Sequence, residues 1–207
     1  MKIICVGLNY QQHNREMGRD DTAVPEDPVL FMKPDSALLK DNKPFFIPDF
    51  SDNIHYELEV VVRINRLGKN IAERFAHRYY DELTVGIDFT ARDIQSDLKE
   101  KGLPWEISKG FDNSAVIGEF VPKEVFSKEI NTLDFSLSKN GIEVQKGNTS
   151  EMIHPVDKVI AYASRFFTLK IGDILFTGTP AGVGRVDIDD HLEGFLEDRK
   201  LFDFHVR

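Results

Sequence analysis

The chain has 207 residues, with 26 Lys and Arg against 35 Asp and Glu and a formal charge of −9. That acidic balance, with no long basic stretch, argues against a nucleic-acid surface, and no run approaches the roughly 18 consecutive apolar residues of a membrane span. The length suits one well-buried core, so a single domain over residues 1–207 is expected. The lone cysteine, Cys5, has no partner within the chain and reads as a small buried hydrophobe. A strand-like opening in place of a charged-then-apolar leader points to the cytoplasm.

Met1 to Gly7 reads as a short apolar strand, and Asn9 to Gly18 as helix or turn. Asp20 to Asp27 is polar and proline-punctuated, a candidate loop that could close with the preceding segment as a lid. Val29-Leu30-Phe31-Met32 then leads to the Lys33-Pro34 turn. His55-Tyr56-Glu57-Leu58-Glu59-Val60-Val61-Val62 predicts one β-strand, and Ile71, Phe75 and Tyr79 predict a helix over 71–80. Leu83 to Ile87 restores a strand that ends at Asp88. Asn140-Gly141 between Leu137 and Ile142 predicts a two-residue hairpin over 135–144. Pro155 to Phe167 predicts a helix with Val156, Val159, Ile160, Ala163 and Phe167 along one stripe. Ile171 to Phe176 is another turn and strand. Strands outnumber helices, so the expected class is mixed α+β, mainly β.

The chemistry begins at Glu57 and Glu59. Strand neighbours at i and i+2 share a face roughly 7 Å apart at Cα, so two ionised groups there repel unless a cation or a raised pKa relieves them. A divalent metal would do so; two solvated glutamates on an outer face are the alternative. A hard cation takes a few carboxylates plus water and substrate oxygens, which makes Asp88, at its strand's end, the candidate third ligand; it could instead cap the following turn. No pair of histidines or cysteines stands at ligand spacing for zinc. His13 and Glu16 are three apart, and on a helical turn a carboxylate orients the imidazole as a base; a solvated turn is the bland reading. Lys109, in an aromatic and glycine-rich neighbourhood, could hold a substrate carboxylate or balance the acids, or be a plain surface lysine. Arg92 and Gln95 could clamp a carboxylate. Thr177-Gly178-Thr179-Pro180-Ala181-Gly182-Val183-Gly184 reads as an anion cradle or a structural turn, and not as a nucleotide loop.

Gly7-Leu8-Asn9-Tyr10, the His13/Glu16 pair, Phe31-Met32-Lys33-Pro34, His55 to Glu59, Gly86 to Asp93, Lys109 and Thr177 to Gly184, in that order, resemble the fumarylacetoacetate hydrolase family, in particular its short acylpyruvate hydrolase and oxaloacetate decarboxylase branch. The resemblance implies a mixed β-sandwich roll that forms a homodimer, with Mg²⁺ or Mn²⁺ held by Glu57, Glu59 and Asp88. It implies a lid bearing His13 and Glu16, and places Arg92, Gln95, Lys109 and Thr179 around the carboxylate and keto oxygens of a small 2-keto or 2,4-diketo acid. Asn148-Thr149 matches a further family segment near the site. Gln11-Gln12 and the 20–27 loop depart from the family and bear on the distal pocket.

The activity expected is metal-dependent hydrolysis of the C–C bond of acylpyruvates to pyruvate and a carboxylic acid, with water activated by His13 and Glu16. The alternative is oxaloacetate decarboxylation or keto–enol tautomerisation of a related 2-keto acid. A metal-dependent binding protein without turnover is a third reading.

Overall fold

The computed structural model describes residues 1–18 and 25–207. Strand β1 (Ile3–Gly7) leads into the short helix α1 (Gln11–Glu16), and β2 (Val29–Lys33) pairs back on β1. Then come β3 (Leu38–Leu39), β4 (Ile54–Tyr56), β5 (Leu58–Ile64), α2 (Glu73–Ala76), β6 (Tyr80–Asp88), β7 (Thr90–Ala91), α3 (Arg92–Glu100) and α4 (Glu106–Lys109). The second half runs β8 (Ala115–Ile117), β9 (Val121–Pro122), β10 (Asp134–Lys139), β11 (Ile142–Asn148), α5 (Val156–Phe166), β12 (Ile174–Phe176), β13 (Gly184–Arg185), β14 (His191–Leu196) and β15 (Arg199–His205).

Eight strands build the central sheet in the order β2-β1-β12-β5-β6-β8-β3, with β9 added on β6. A second sheet runs β11-β10-β14-β15, and a small third sheet β13-β4-β7. This is the mixed, mainly β roll expected. The central sheet is covered on both faces, which is why its strands read as unbroken apolar runs. Along β1, Ile4 and Val6 join the larger core with Val60, Val62 and the α5 stripe Val156, Val159, Ile160 and Ala163. Ile3 and Cys5 point to the other face, against Val61, Ile174 and Phe176.

The 135–144 hairpin forms as expected, with Asn140 and Gly141 at φ 55° and 79°, the left-handed pair such a turn requires. Two expectations need correction. The helix over 71–80 shrinks to α2; Arg78 and Tyr79 donate to Phe75 and Ala76 in tight turns, and Tyr80 already belongs to β6. The strand over 55–62 breaks at Glu57, where the chain leaves the small sheet and enters the central one. The ladder can break there because the Leu58 N–H finds a side chain, Gln145 Oε1, at 2.9 Å. The candidate loop over 20–27 lies mostly outside the described residues.

Gly86 sits directly opposite Glu59 in the β5–β6 register. A Cβ there would lie 2.5 Å from the Val116 carbonyl oxygen and 2.9 Å from the Phe176 ring. Backbone cannot step aside cheaply, so Gly86→Ala is expected to cost about 1–3 kcal/mol, read as a lowered urea midpoint; an unchanged midpoint would show that β6 and β8 part without strain.

Candidate active site

The two strands β5 and β6 bring the acids together. Leu58 pairs with Ile87 and Glu59 with Gly86, which sets Glu57 beside Asp88; the Asp88 N–H donates to the Glu57 carbonyl at 2.9 Å. Glu57, Glu59 and Asp88 are only 5, 2 and 1 % exposed, so the alternative of two solvated glutamates does not hold. One oxygen from each lies within 4.8 Å of the others.

Cations from three other elements close around this cluster. Lys109, at the end of α4, places Nζ 2.7 Å from Glu57 Oε2 and 2.6 Å from Asp88 Oδ2. Arg92, opening α3, donates from one guanidinium nitrogen to Glu57 Oε1 at 2.5 Å and from the other to Gln95 Oε1 at 2.7 Å. Lys33, ending β2, reaches to 2.6 Å from Asp88 Oδ1. Its donors, however, are directed at the carbonyls of Phe89, Lys109 and Ser114 and at Ser114 Oγ. Asp88 Oδ1 is therefore buried beside a positive charge yet accepts no hydrogen bond.

The electrostatics split the two glutamates. Burial works to raise the pKa of Glu57, but the charges of Lys109 and Arg92 outweigh it and hold the carboxyl well below the ordinary range. For Glu59 burial is the largest effect, Asp88 adds to it, and the Gly178 N–H at 2.6 Å offsets only part, so its pKa stands well above the ordinary range. Burial pulls Lys109 down, yet Asp88 and Glu57 outweigh it and raise its pKa, which keeps the ammonium charged. Three converging carboxylates form a hard-oxygen donor set suited to Mg²⁺ or Mn²⁺. The unpartnered Asp88 Oδ1 and the raised pKa of Glu59 are the two features such a cation would relieve, so the residues fit it.

His13 and Met17 line the same cavity as the triad, together with Phe31, Arg92, Gln95, Lys99, Trp105, Lys109 and Thr179. The His13 ring pairs through Nδ1 with Glu16 Oε2 at 3.1 Å, and Glu16 in turn accepts the Gly182 N–H at 3.1 Å. The structure thus gathers His13, Arg92, Gln95, Lys109, Thr179, Glu57, Glu59 and Asp88 around one space, with Glu16 behind His13. The free volume is about 40 Å³, little more than the roughly 30 Å³ that one water occupies in the liquid. Side chains must move to admit a keto acid. A larger groove of about 580 Å³ near Arg63, Phe120 and Phe202 contains none of these residues.

The glycine-rich loop does bind anions, but they are the chain's own carboxylates. Gly178, at φ 98°, donates to Glu59, and Gly182, at φ 97°, to Glu16. Gln145 was not among the sequence candidates; it is 2 % exposed, accepts from Leu58 N–H, and donates to Thr179 Oγ1 at 3.0 Å and to the Pro180 carbonyl at 3.1 Å. Lys33 was legible only as part of a motif; a lysine closing an apolar strand was the available signal. Asn148 and Thr149 do not line the cavity: their side chains brace residues 130–134. A second set of ligand-type residues, His191, Glu193 and Asp203, is half-buried, and Lys200 already lies 3.0 Å from Glu193 and 2.6 Å from Asp203.

A cation needs Glu59 ionised. Without one, the folded chain keeps a proton on Glu59 that the unfolded chain releases near pH ~4.3, so stability falls as pH rises from there through the raised value. Cation binding removes that loss. Melts from pH 5 to 8 with and without Mn²⁺ are expected to show a cation-induced rise in Tm that grows with pH and vanishes in Glu59→Gln; a pH-independent rise would place the cation elsewhere.

The model of the fumarylacetoacetate (FAA) hydrolase C-terminal family matches residues 2–207. The chain is 42 % identical to oxaloacetate tautomerase YcgM of Escherichia coli over 191 residues, 92 % of this chain and 86 % of the relative. It is 41 % identical to the human mitochondrial oxaloacetate tautomerase FAHD1 over 204 residues, 99 % of this chain and 90 % of that one. The crystal structure of fumarylpyruvate hydrolase from Pseudomonas aeruginosa, in complex with Mn²⁺ and pyruvate, superposes with a TM-score of 0.92 at 35 % identity, covering 100 % of this chain and 89 % of that one. The chain belongs to the fumarylacetoacetate hydrolase family of enzymes.

Proposed function

We propose that the protein catalyses enolate chemistry on a small 2-keto acid, with keto–enol tautomerisation of oxaloacetate as the first reading and hydrolytic cleavage of acylpyruvates as the second. The observation that carries both is the convergence of Glu57, Glu59 and Asp88 with His13 on one small buried cavity. The order differs from the sequence expectation: the tautomerase relatives are more similar to this chain than the hydrolase neighbour is. The paired His13 and Glu16 favour keeping hydrolysis as the second reading.

Held by the three carboxylates, Mg²⁺ or Mn²⁺ supplies Lewis-acid stabilisation of the negative charge that builds on a 2-keto oxygen. The remaining work falls to the chain. Glu16 on Nδ1 fixes the His13 ring, which leaves Nε2 to move the proton. In tautomerisation that proton leaves the carbon next to the ketone and is delivered to the enolate oxygen, and in the reverse direction it leaves the enol oxygen and is delivered to the carbon. In hydrolysis the same nitrogen takes it from the water that attacks the distal carbonyl. Arg92, Gln95 and Thr179 supply donors for carboxylate and keto oxygens. The charged Lys109 ammonium offsets the developing anion.

An NMR time course would follow oxaloacetate and, separately, acetylpyruvate with Mg²⁺ or Mn²⁺ and with EDTA. Metal-dependent acceleration of oxaloacetate keto–enol exchange is expected. Appearance of acetate and pyruvate from acetylpyruvate would promote hydrolysis, and no effect on either substrate would overturn the proposal. His13→Ala is expected to lower kcat by about 10²- to 10⁴-fold with Mn²⁺ affinity unchanged; full activity in this variant would remove the ring from the mechanism.

A further inference from the structure

We infer that Gln145 is a positioning residue: it turns the hydroxyl hydrogen of Thr179 into the cavity, where that hydroxyl serves as a hydrogen-bond donor to the substrate. The inference deepens the enolate reading above and rests on it. It starts from an irregularity in the β10–β11 ladder. Ser138 pairs with Glu143, but the next residue, Leu137, pairs with Gln145, so Val144 is an extra residue on β11. An unbroken register would set Val144 against Leu137. A bulge of this kind re-aims the side chain beside it, and here it turns Gln145 inward, opposite the buried Leu137 and itself 2 % exposed.

The partners then determine which end of the amide points where. The Leu58 N–H can only donate, and it meets the Gln145 amide at 2.9 Å, so the atom it meets is Oε1. The Pro180 carbonyl can only accept, and it lies 3.1 Å from the other end, Nε2. With the orientation set twice over, Nε2 donates its second hydrogen to Thr179 Oγ1 at 3.0 Å. A hydroxyl that accepts in this way keeps its own hydrogen for another acceptor. Among the described residues the acceptor offered to it is the Pro180 carbonyl at 3.5 Å, long against the usual O–H···O separation of about 2.7 Å and already served by Gln145. Thr179 lines the triad's cavity, so an oxygen of the bound keto acid is the better acceptor. Leu58 stands between Glu57 and Glu59 in the chain, and one side chain of β11 therefore holds the Thr179 donor against the strand that carries two of the three acids. A donor oriented before the reaction needs no reorganisation as charge builds on the substrate.

A double-mutant cycle with Thr179→Val tests this. Gln145→Glu keeps an acceptor for the Leu58 N–H while replacing the donors, and Gln145→Met removes the amide without adding charge. At a temperature where melts show every variant folded, each Gln145 substitution is expected to lower kcat/KM for oxaloacetate about tenfold more when Thr179 is present than in Thr179→Val. Thr179→Ser, which brings back a hydroxyl, should recover much of what Thr179→Val loses and with it the sensitivity to Gln145. The same cycle is read by calorimetry in the binding of oxalate, a planar dianion that resembles an enolate, to the Mn²⁺-loaded protein. Losses that simply add, in turnover and in oxalate binding alike, overturn the positioning role, because a packing defect does not depend on the hydroxyl. Coupled losses in oxalate binding without turnover of oxaloacetate or acetylpyruvate would instead support Gln145 and overturn the enolate reading.

Discussion

Everything in this molecule depends on how three carboxylates tolerate burial beside one another. Ions taken out of water lose hydration worth several kcal/mol each even after relaxation, and mutual repulsion adds to that. The fold answers unequally. Glu57 receives two cations, Lys109 and Arg92, and stays ionised; Asp88 shares Lys109 and stands against Lys33. Glu59 receives a backbone N–H in place of a full charge, and burial beside Asp88 raises its pKa well above the ordinary range. The arrangement therefore favours ionised Glu57 over ionised Glu59, and a divalent cation among the three carboxylates would relieve that inequality. The architecture serves that balance: α3 and α4 follow β6 closely in the chain and deliver Arg92 and Lys109, while β2 delivers Lys33 from the far edge of the central sheet.

The loop over residues 177–184 joins the acid cluster to α1. One of its N–H groups holds Glu59 and another holds Glu16, so the metal candidate and the partner of His13 hang from the same short stretch of backbone. That stretch is itself fixed. Asn9 donates to the Thr177 carbonyl at 2.7 Å and exchanges two hydrogen bonds with His154, and Gln145 ties Thr179 and Pro180 to the backbone between Glu57 and Glu59. Left-handed glycines are required here because a Cβ at Gly178 would lie 2.7 Å from Asn9, and one at Gly182 would lie 2.7 Å from the Val144 carbonyl.

Local chemistry was legible in the sequence where it depends on local rules. The Asn140-Gly141 turn, the α5 stripe and the apolar central strands follow from side-chain period and turn geometry. The pairing of the glutamates followed from strand alternation, although the break at Glu57 did not, because the group that satisfies Leu58 is 87 residues away. The same distance hides Gln145 itself: a glutamine in a hairpin strand carries no local mark of burial. Helix 71–80 was overread because its apolar spacing is real, yet Phe75 is 39 % exposed and the chain is already turning into β6. The β14–β15 hairpin escaped for another reason. Gly194 gives up its own side chain so that Phe202 can lie across it, a packing visible only once both strands are paired.

The two proposed reactions share an enolate and not a first step, so the residues that would stabilise the enolate cannot by themselves choose between them. Stabilising an enolate asks for the cation and a proton-moving ring, and both reactions need those. The choice lies further out, in what the cavity does with the remainder of the substrate. Hydrolysis needs room for a distal acyl group and for a water that His13 can reach. Tautomerisation needs only that the four-carbon acid be held still while a proton moves. The free space of about 40 Å³ is too small for either substrate as it stands, so the outcome turns on the shape the cavity takes once side chains have moved to admit a keto acid. Selectivity in such a site is a difference between affinities, and the residues that can set it are the other walls of the triad's cavity, among them His13, Phe31, Gln95, Trp105 and Thr179.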